Sequence, residues 1–176
     1  EQLKKHRNVI ANPNCSTIQM VLALKPLHEK YKIKRVIVST YQAVSGAGKA
    51  AMDELLDQTK NVLAEKKVLS QNFSKQIAFN LIPQIDDFDI DGYTKEELKM
   101  ENETKKILDS DIKISATCVR VPVLNSHSES VNIEFEQRFD LEDLRKTLEN
   151  APGCKVIDGH QDGEYITPVE ASGDHK

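Results

Sequence analysis

The stretch IKISATCVRVPVLNSHSESVNIEFEQRF, residues 112–139, decides the fold. Its first part, Ile112–Leu124, is rich in β-branched residues and reads as a long strand. Pro122 lies inside it. Proline has no N–H to give to a ladder, so this strand belongs at a sheet edge or carries a bulge. The second part, Glu129–Phe139, alternates apolar and polar residues and predicts a strand antiparallel to a neighbour. Strands so close in sequence favour an antiparallel or mixed sheet.

Upstream, Ile33–Tyr41 (IKRVIVSTY) reads as a buried strand and Ile77–Pro83 (IAFNLIP) as another. NVIANP, residues 8–13, is a short β-type run stopped by Pro13. From Cys15 to Leu24, the residues Ile18, Val21 and Leu22 fall at helical spacing. Pro26 interrupts this helix and LHEKY adds a turn. SGAG (Ser45–Gly48) is a tight turn into a helix reaching Lys60 or beyond, with Met52, Leu55, Leu56 and Val62 on its apolar side. QIDDFDIDGY is an acidic loop. Thr94 with Glu97 three residues later is a capping-box pattern, opening a helix to about Leu108. Downstream, DLEDLRKTLENAPG is an N-capped helix ended by Pro-Gly, and CKVID (Cys154–Asp158) is a short last strand. The class is α+β, with a mixed, mostly antiparallel sheet and at least three helices.

The 176 residues carry a net charge of −4, with 39% hydrophobic and 30% charged residues. This is one domain with a sizeable core. Mixed charge gives no basic footprint for nucleic acid, and nothing in the chain reads as a membrane segment or signal peptide. Three cysteines, with no CxxC and no Cys/His pair at ligand spacing, argue against a disulfide framework and against zinc. A reducing cytoplasm is the expected compartment. The chain does not begin with Met, and both ends read as cut from a longer protein.

Cys15 stands in NPNCST, residues 12–17, between asparagines and hydroxyl residues rather than among aliphatics. It falls in the first turn of the predicted helix, where unpaired N–H groups and the dipole favour a thiolate. Asn14 and nearby N–H groups can donate to an oxyanion. The alternative is a capping loop with an incidental cysteine. A nucleophilic thiol needs a proton-transfer partner. Of five histidines, His6 and His175 are near the ends, His28 sits in a charged segment and reads as solvated, and His160 lies in a polar loop. His127 follows the Pro122-bearing strand, where a strand end can aim side chains into a cleft. Its alternative is an ordinary exposed loop histidine.

Arg120 is flanked by apolar residues and must find an anion, either a structural carboxylate or a substrate carboxylate held bidentately. Glu96 and Lys99 share a helix face continued by Glu103 and Lys106, a pattern equally suited to a solvated salt-bridge stripe. Gln42, Ser45 and Gly46 follow a buried strand, a usual place for ligand contacts. GAGK is not a P-loop, because Ala43 and Ala50 stand where that motif needs Gly and Ser or Thr. Cys118 and Cys154 read as packing residues.

Taken in order, NPNCST, STYQAVSGAG, FNLIPQID, TKEELKMENETKKIL and ATCVRVPVLNSHSESV resemble the aspartate-β-semialdehyde dehydrogenase family over essentially the whole chain. The resemblance implies NADPH-dependent reductive dephosphorylation of β-aspartyl phosphate to aspartate semialdehyde, in lysine, threonine, methionine and diaminopimelate biosynthesis. It implies Cys15 as nucleophile and His127 as general acid/base. Gln42 would orient the acyl intermediate, Arg120 would clamp the substrate α-carboxylate, Glu96 would hold the amino group, and Lys99 would meet phosphate. Ser45 and Gly46 would approach NADP. No metal is implied.

The same resemblance implies a fold like the second domain of glyceraldehyde-3-phosphate dehydrogenase, with helices on one sheet face and the other used for pairing in a homodimer. No glycine-rich dinucleotide fingerprint occurs here. Residues 1–176 therefore read as the catalytic and dimerisation half, without the family's N-terminal NADP-binding domain and C-terminal helix. Alone, this half is expected to be inactive. Rival readings are an N-acetyl-γ-glutamyl-phosphate reductase, expected to show Gly and Tyr around its cysteine, a cysteine hydrolase or acyltransferase, and a non-catalytic dimerisation module.

Overall fold

In the computed structural model, residues 8–173 are described. Helix α1 (Cys15–Tyr31) leads into strand β1 (Ile33–Gln42), a 3₁₀ turn (Val44–Ala47) and helix α2 (Lys49–Leu63). A long loop reaches α3 (Lys95–Ile107), followed by β2 (Lys113–Arg120), β3 (Ser128–Phe135), α4 (Leu141–Glu149) and the single-turn α5 (Pro168–Ala171).

The three strands are ordered β2-β1-β3. β1 pairs parallel with β2, Val36 opposite Ile114 through Gln42 opposite Arg120. It pairs antiparallel with β3, Val36 opposite Ile133 and Thr40 opposite Glu129. The α+β class and mixed sheet hold, and Pro122 follows an edge strand as its missing N–H requires. The two pairings are one of each kind, because β2 and β3 flank β1 instead of meeting each other.

Along β1 burial alternates. Val36, Val38, Thr40 and Gln42 are buried, and Ile37 and Tyr41 on the opposite face are exposed. The helices cover the first face. Met20 and Leu24 of α1 and Met100 of α3 pack on Val36, Val38, Ala116 and Cys118. A second cluster joins Val44, Leu55, Ile77, Ala78 and Ile82 between α2 and the long loop.

Several expectations are corrected. α1 runs unbroken through Pro26, its buried stripe being Met20, Leu24, Leu27, His28 and Tyr31, while Ile18 and Leu22 are exposed. A mid-helix proline costs about 3 kcal/mol; packing of that stripe offsets it, and the Leu22 carbonyl, deprived of its helical donor, faces Cys154 Sγ at 3.8 Å. Ile77–Pro83 is not a strand. The N–H groups of Ile77 and Ala78 go to Gln58 Oε1, Phe79 takes a positive φ, and Pro83 cannot extend the one bridge formed by Ile82 with Arg120. Neither residues 8–13 nor Cys154–Asp158 join the sheet. His28 is buried, not solvated: its Nδ1 accepts the Ile33 N–H at 3.1 Å and its Nε2 faces Asp109. On α2, Leu56 points outward and the buried face carries Glu54 and Gln58. His6 and His175 lie outside the described residues.

Candidate active site

The site grows from the carboxyl ends of the parallel pair β1–β2. There the ladder continues past the strands. Val121 N–H donates to the Gln42 carbonyl at 3.0 Å, Val44 N–H to Val123 at 2.8 Å and Ser45 N–H to Leu124 at 3.0 Å. The loop after β1 is thus zipped to the loop after β2, and the two deliver their side chains to one place.

Ala43 is the hub. Its carbonyl accepts from Arg120 Nη1 at 2.7 Å and its N–H donates to His127 Nδ1 at 2.9 Å. Gly46 lies against both side chains: a β-carbon there would stand 3.0 Å from Arg120 Nη1 and 3.2 Å from His127 Nε2. Arg120 is buried, and among the described residues no carboxylate oxygen comes within 4.0 Å of its guanidinium. Its backbone is fixed by paired bonds with Ile82 at 2.9 and 3.0 Å. Burial lowers the Arg120 pKa, and the charges of Glu96 and Cys15 oppose that. Burial and then Arg120 lower the His127 pKa, with Glu96 acting the other way. At neutral pH the imidazole is therefore uncharged. With Nδ1 accepting from Ala43, its proton sits on Nε2.

Cys15 opens α1 and is the exposed cysteine; Cys118 is fully buried, its thiol pushed up to about 12 mainly by burial. Asn14 caps the helix, its Oδ1 accepting from Ser16 and Thr17 N–H at 2.9 and 3.1 Å. Its Nδ2 donates to Glu96 Oε1 at 2.8 Å, and its backbone N–H donates to Glu103 Oε2 at 2.7 Å. One amide hydrogen of Asn14 is thus left for an oxyanion. Gln42 Nε2 donates to the same Glu96 oxygen at 2.9 Å, and Gln42 Oε1 accepts from Thr40 at 2.9 Å. One carboxylate oxygen therefore joins the cap of the cysteine helix to the end of β1. The predicted stripe on α3 divides: Glu96 is buried in the site and Glu103 grips the α1 entry, so neither is an ordinary solvated charge.

Lys99 stands at the rim, bonded to Asp86 Oδ2 at 3.0 Å and facing Glu96 Oε2 at 3.5 Å. Behind Arg120, Ser74, Gln84, Asp86 and Ile82 line a cavity of about 230 Å³. The structure thus gathers Asn14, Cys15, Gln42, Gly46, Glu96, Arg120 and His127 into one connected site, with Ser45 and Lys99 at its edge. Sequence reading missed Ala43, Thr40 and Asp86, and placed Glu103 only on the charged stripe of α3. Ala43 and Thr40 act through main chain or support, which leaves no mark in a motif. Asp86 lay inside an acidic loop with no signal to single it out.

Site and fold define a class first. Residues 24–176 match the family model described as "Semialdehyde dehydrogenase, dimerisation domain". The aspartate-semialdehyde dehydrogenase of Aquifex aeolicus is 56% identical over 96% of this chain and 50% of its own length. A Vibrio cholerae aspartate semialdehyde dehydrogenase II, solved complexed with ASA, superposes with a TM-score of 0.91 at 48% identity, over 96% of this chain and 50% of that one. An aspartate semialdehyde dehydrogenase from Candida albicans, solved with NADP, gives 0.54 at 29% identity over 80% and 35%. The chain belongs to the aspartate-semialdehyde dehydrogenase family. It spans about half the length of the curated relatives it matches.

Proposed function

We propose that this chain supplies the catalytic half of an NADPH-dependent aspartate-β-semialdehyde dehydrogenase acting on β-aspartyl phosphate. The observation that carries the reading is Arg120. A buried guanidinium bonded to the Ala43 carbonyl, with no carboxylate oxygen within 4.0 Å among the described residues, is costly unless an external anion completes it. The substrate α-carboxylate is that anion, and Glu96 next to it takes the α-amino group.

Cys15 attacks the acyl carbon, forming the C–S bond as the C–O bond to phosphate breaks. Lys99 at the rim meets the leaving phosphate. Gln42, held by Thr40 and Glu96, keeps the thioester carbonyl in place. Gly46 is exposed and has no β-carbon where one would meet Arg120 and His127, so a flat ring can approach beside Ser45. NADP, when bound there in its reduced form, supplies the hydride. His127 Nε2–H gives its proton to the oxygen as negative charge gathers there and takes it back as that oxygen re-forms the carbonyl and the C–S bond breaks, so that Cys15 leaves as a thiolate and the aldehyde is released; in reverse the same nitrogen serves the same two transfers.

The partner is a second copy of the chain. The uncovered sheet face, with Ile37 and Tyr41 exposed, is the surface proposed for the homodimer.

The test uses the full-length protein with β-aspartyl phosphate and no NADPH. A thioacyl adduct on the Cys15 peptide, with release of phosphate, is the expected result. Arg120→Lys should weaken it more than charge conservation implies, because the ammonium lacks the planar fork. Hydrolysis without an adduct on Cys15, or an adduct that NADPH does not discharge to the aldehyde, overturns the reading.

A further inference from the structure

Glu129 is a half-buried carboxyl that the proposed reaction does not use. It is the second residue of β3 and pairs across the ladder with Thr40. Directly paired residues present their side chains on the same sheet face. Glu129 therefore points with Thr40 toward α1, not toward the open face. There its Oε1 accepts from Gln19 Nε2 at 2.8 Å. Gln19 lies four residues after Cys15, one turn along the same side of the helix. Glu129 lies two residues after His127. Burial pushes its carboxyl up to about 7, with Gln19 pulling the other way.

The cap of α1 is tied to α3 through Glu96 and Glu103, and those bonds do not reach β3. α1 and β3 share the core cluster in which Met20 and Leu24 lie with Ile133 and Phe135. At the far end, Tyr31 and Phe135 pack edge to face with ring centres 5.5 Å apart. At the site end, Gln19–Glu129 is the one side-chain hydrogen bond between α1 and β3 among the described residues. We propose that this bond makes Glu129 a positioning residue: it fixes the helix that opens with Cys15 against the strand that starts beside His127, and so sets the thiol–imidazole separation. This inference rests on the Cys15–His127 pairing proposed above.

The test is the rate at which iodoacetamide alkylates Cys15 in this chain, followed by peptide mass spectrometry with Cys118 and Cys154 as internal references. His127→Ala should shift the Cys15 rate several-fold, because in the proposed pairing the ring's Nε2–H is the donor that stabilises the Cys15 thiolate. Gln19→Ala and Glu129→Ala should each shift it in the same direction, and the double variant should go no further than Glu129→Ala alone. Glu129→Gln, whose amide oxygen still accepts from Gln19, should stay within about twofold of the parent chain. If Glu129→Ala loses its circular dichroism signal, the exposed Gln19→Ala decides. Gln19→Ala and Glu129→Ala rates matching the parent while His127→Ala departs overturn the positioning role and leave the pairing intact. A His127→Ala rate equal to the parent's overturns both. Glu129→Gln behaving like Glu129→Ala overturns the hydrogen-bond account.

Discussion

The backbone N–H of Ala43 donates to His127 Nδ1 at 2.9 Å. This places the imidazole proton on Nε2, which lies against the bare face of Gly46. His127→Asn separates the two jobs of the ring. The shorter amide can keep an acceptor for Ala43 but offers no titrating nitrogen. In the full-length enzyme, kcat is expected to fall by about 10²–10⁴-fold, the usual worth of general acid/base help, with circular dichroism unchanged. A rate within an order of magnitude of the parent would remove His127 from the proton transfer.

Gly46 offers a cleaner steric probe. It does not take a positive φ, so alanine there brings no backbone strain. Its β-carbon would nonetheless stand 3.0 Å from Arg120 Nη1 and 3.1 Å from His127 Cε1, tighter than ordinary contact. Both side chains must shift. Gly46→Ala is expected to cost on the order of 10²-fold in kcat/KM with the melting temperature nearly unchanged. Gly48→Ala is the control: its φ is +90° with ψ 179°, a conformation essentially confined to glycine, and the space around it is open, so it should lose about 1–3 kcal/mol of stability and little activity. Equal kinetic losses in the two variants would show that the effect travels through the loop backbone, not through Arg120 and His127.

Much of this is legible in the sequence because it rests on local chemistry. The Thr94–Glu97 capping box, the Asp140 cap and the β-branched run of β1 each follow from neighbouring residues, and each formed. The failures share a cause. At Pro26 and Ile77–Pro83, long-range partners override the local rules: core packing holds α1 together, and Gln58 takes the N–H groups that a strand would have used. For the site, residue types at strand and helix ends are readable. Their convergence through Glu96 and the Ala43 main chain is not, because no spacing rule links residues 14, 42, 96 and 120.

Glu54 tests how the wall of the Arg120 cavity is held. This buried carboxylate accepts from Asn72 N–H at 2.6 Å, Asn72 Nδ2 at 2.7 Å, Gln71 N–H at 3.2 Å and Gln58 Nε2 at 2.8 Å. It anchors the segment whose Asn72, Phe73 and Ser74 line that cavity. Glu54→Ala leaves buried donors without an acceptor, which costs about 1–3 kcal/mol. Denaturant unfolding should show that loss, and hydrogen exchange should quicken first at residues 69–78. Unchanged exchange there would mean that the loop is held by Phe73 and Ile77 packing instead.

Glu129 carries a pH signature in stability, and its sign is fixed. Its carboxyl is raised from 4.5 to about 7 in the folded chain, chiefly by burial. Below the lower value it is protonated whether the chain is folded or not, and contributes no pH dependence. Between the two values the unfolded chain ionises first, so folding grows less favourable as pH rises; above about 7 the full penalty stands. Among the described residues, the groups that bear on it are the Cys118 thiol, held neutral, and the Gln19 amide. Glu129→Gln keeps the acceptor for Gln19 and cannot ionise. Its melting temperature should equal the parent's near about pH 4.5 and exceed it by about pH 8, the gap opening across roughly pH 5–7. His127, lowered by burial and Arg120, works in the opposite sense, since its contribution is lost as pH falls below its ordinary range. The comparison is therefore made in His127→Asn as well, where the Glu129 effect should persist unaltered. Parallel curves for the parent and the Glu129→Gln variant across that whole range would place the carboxyl in solvent and remove the reason for its raised value.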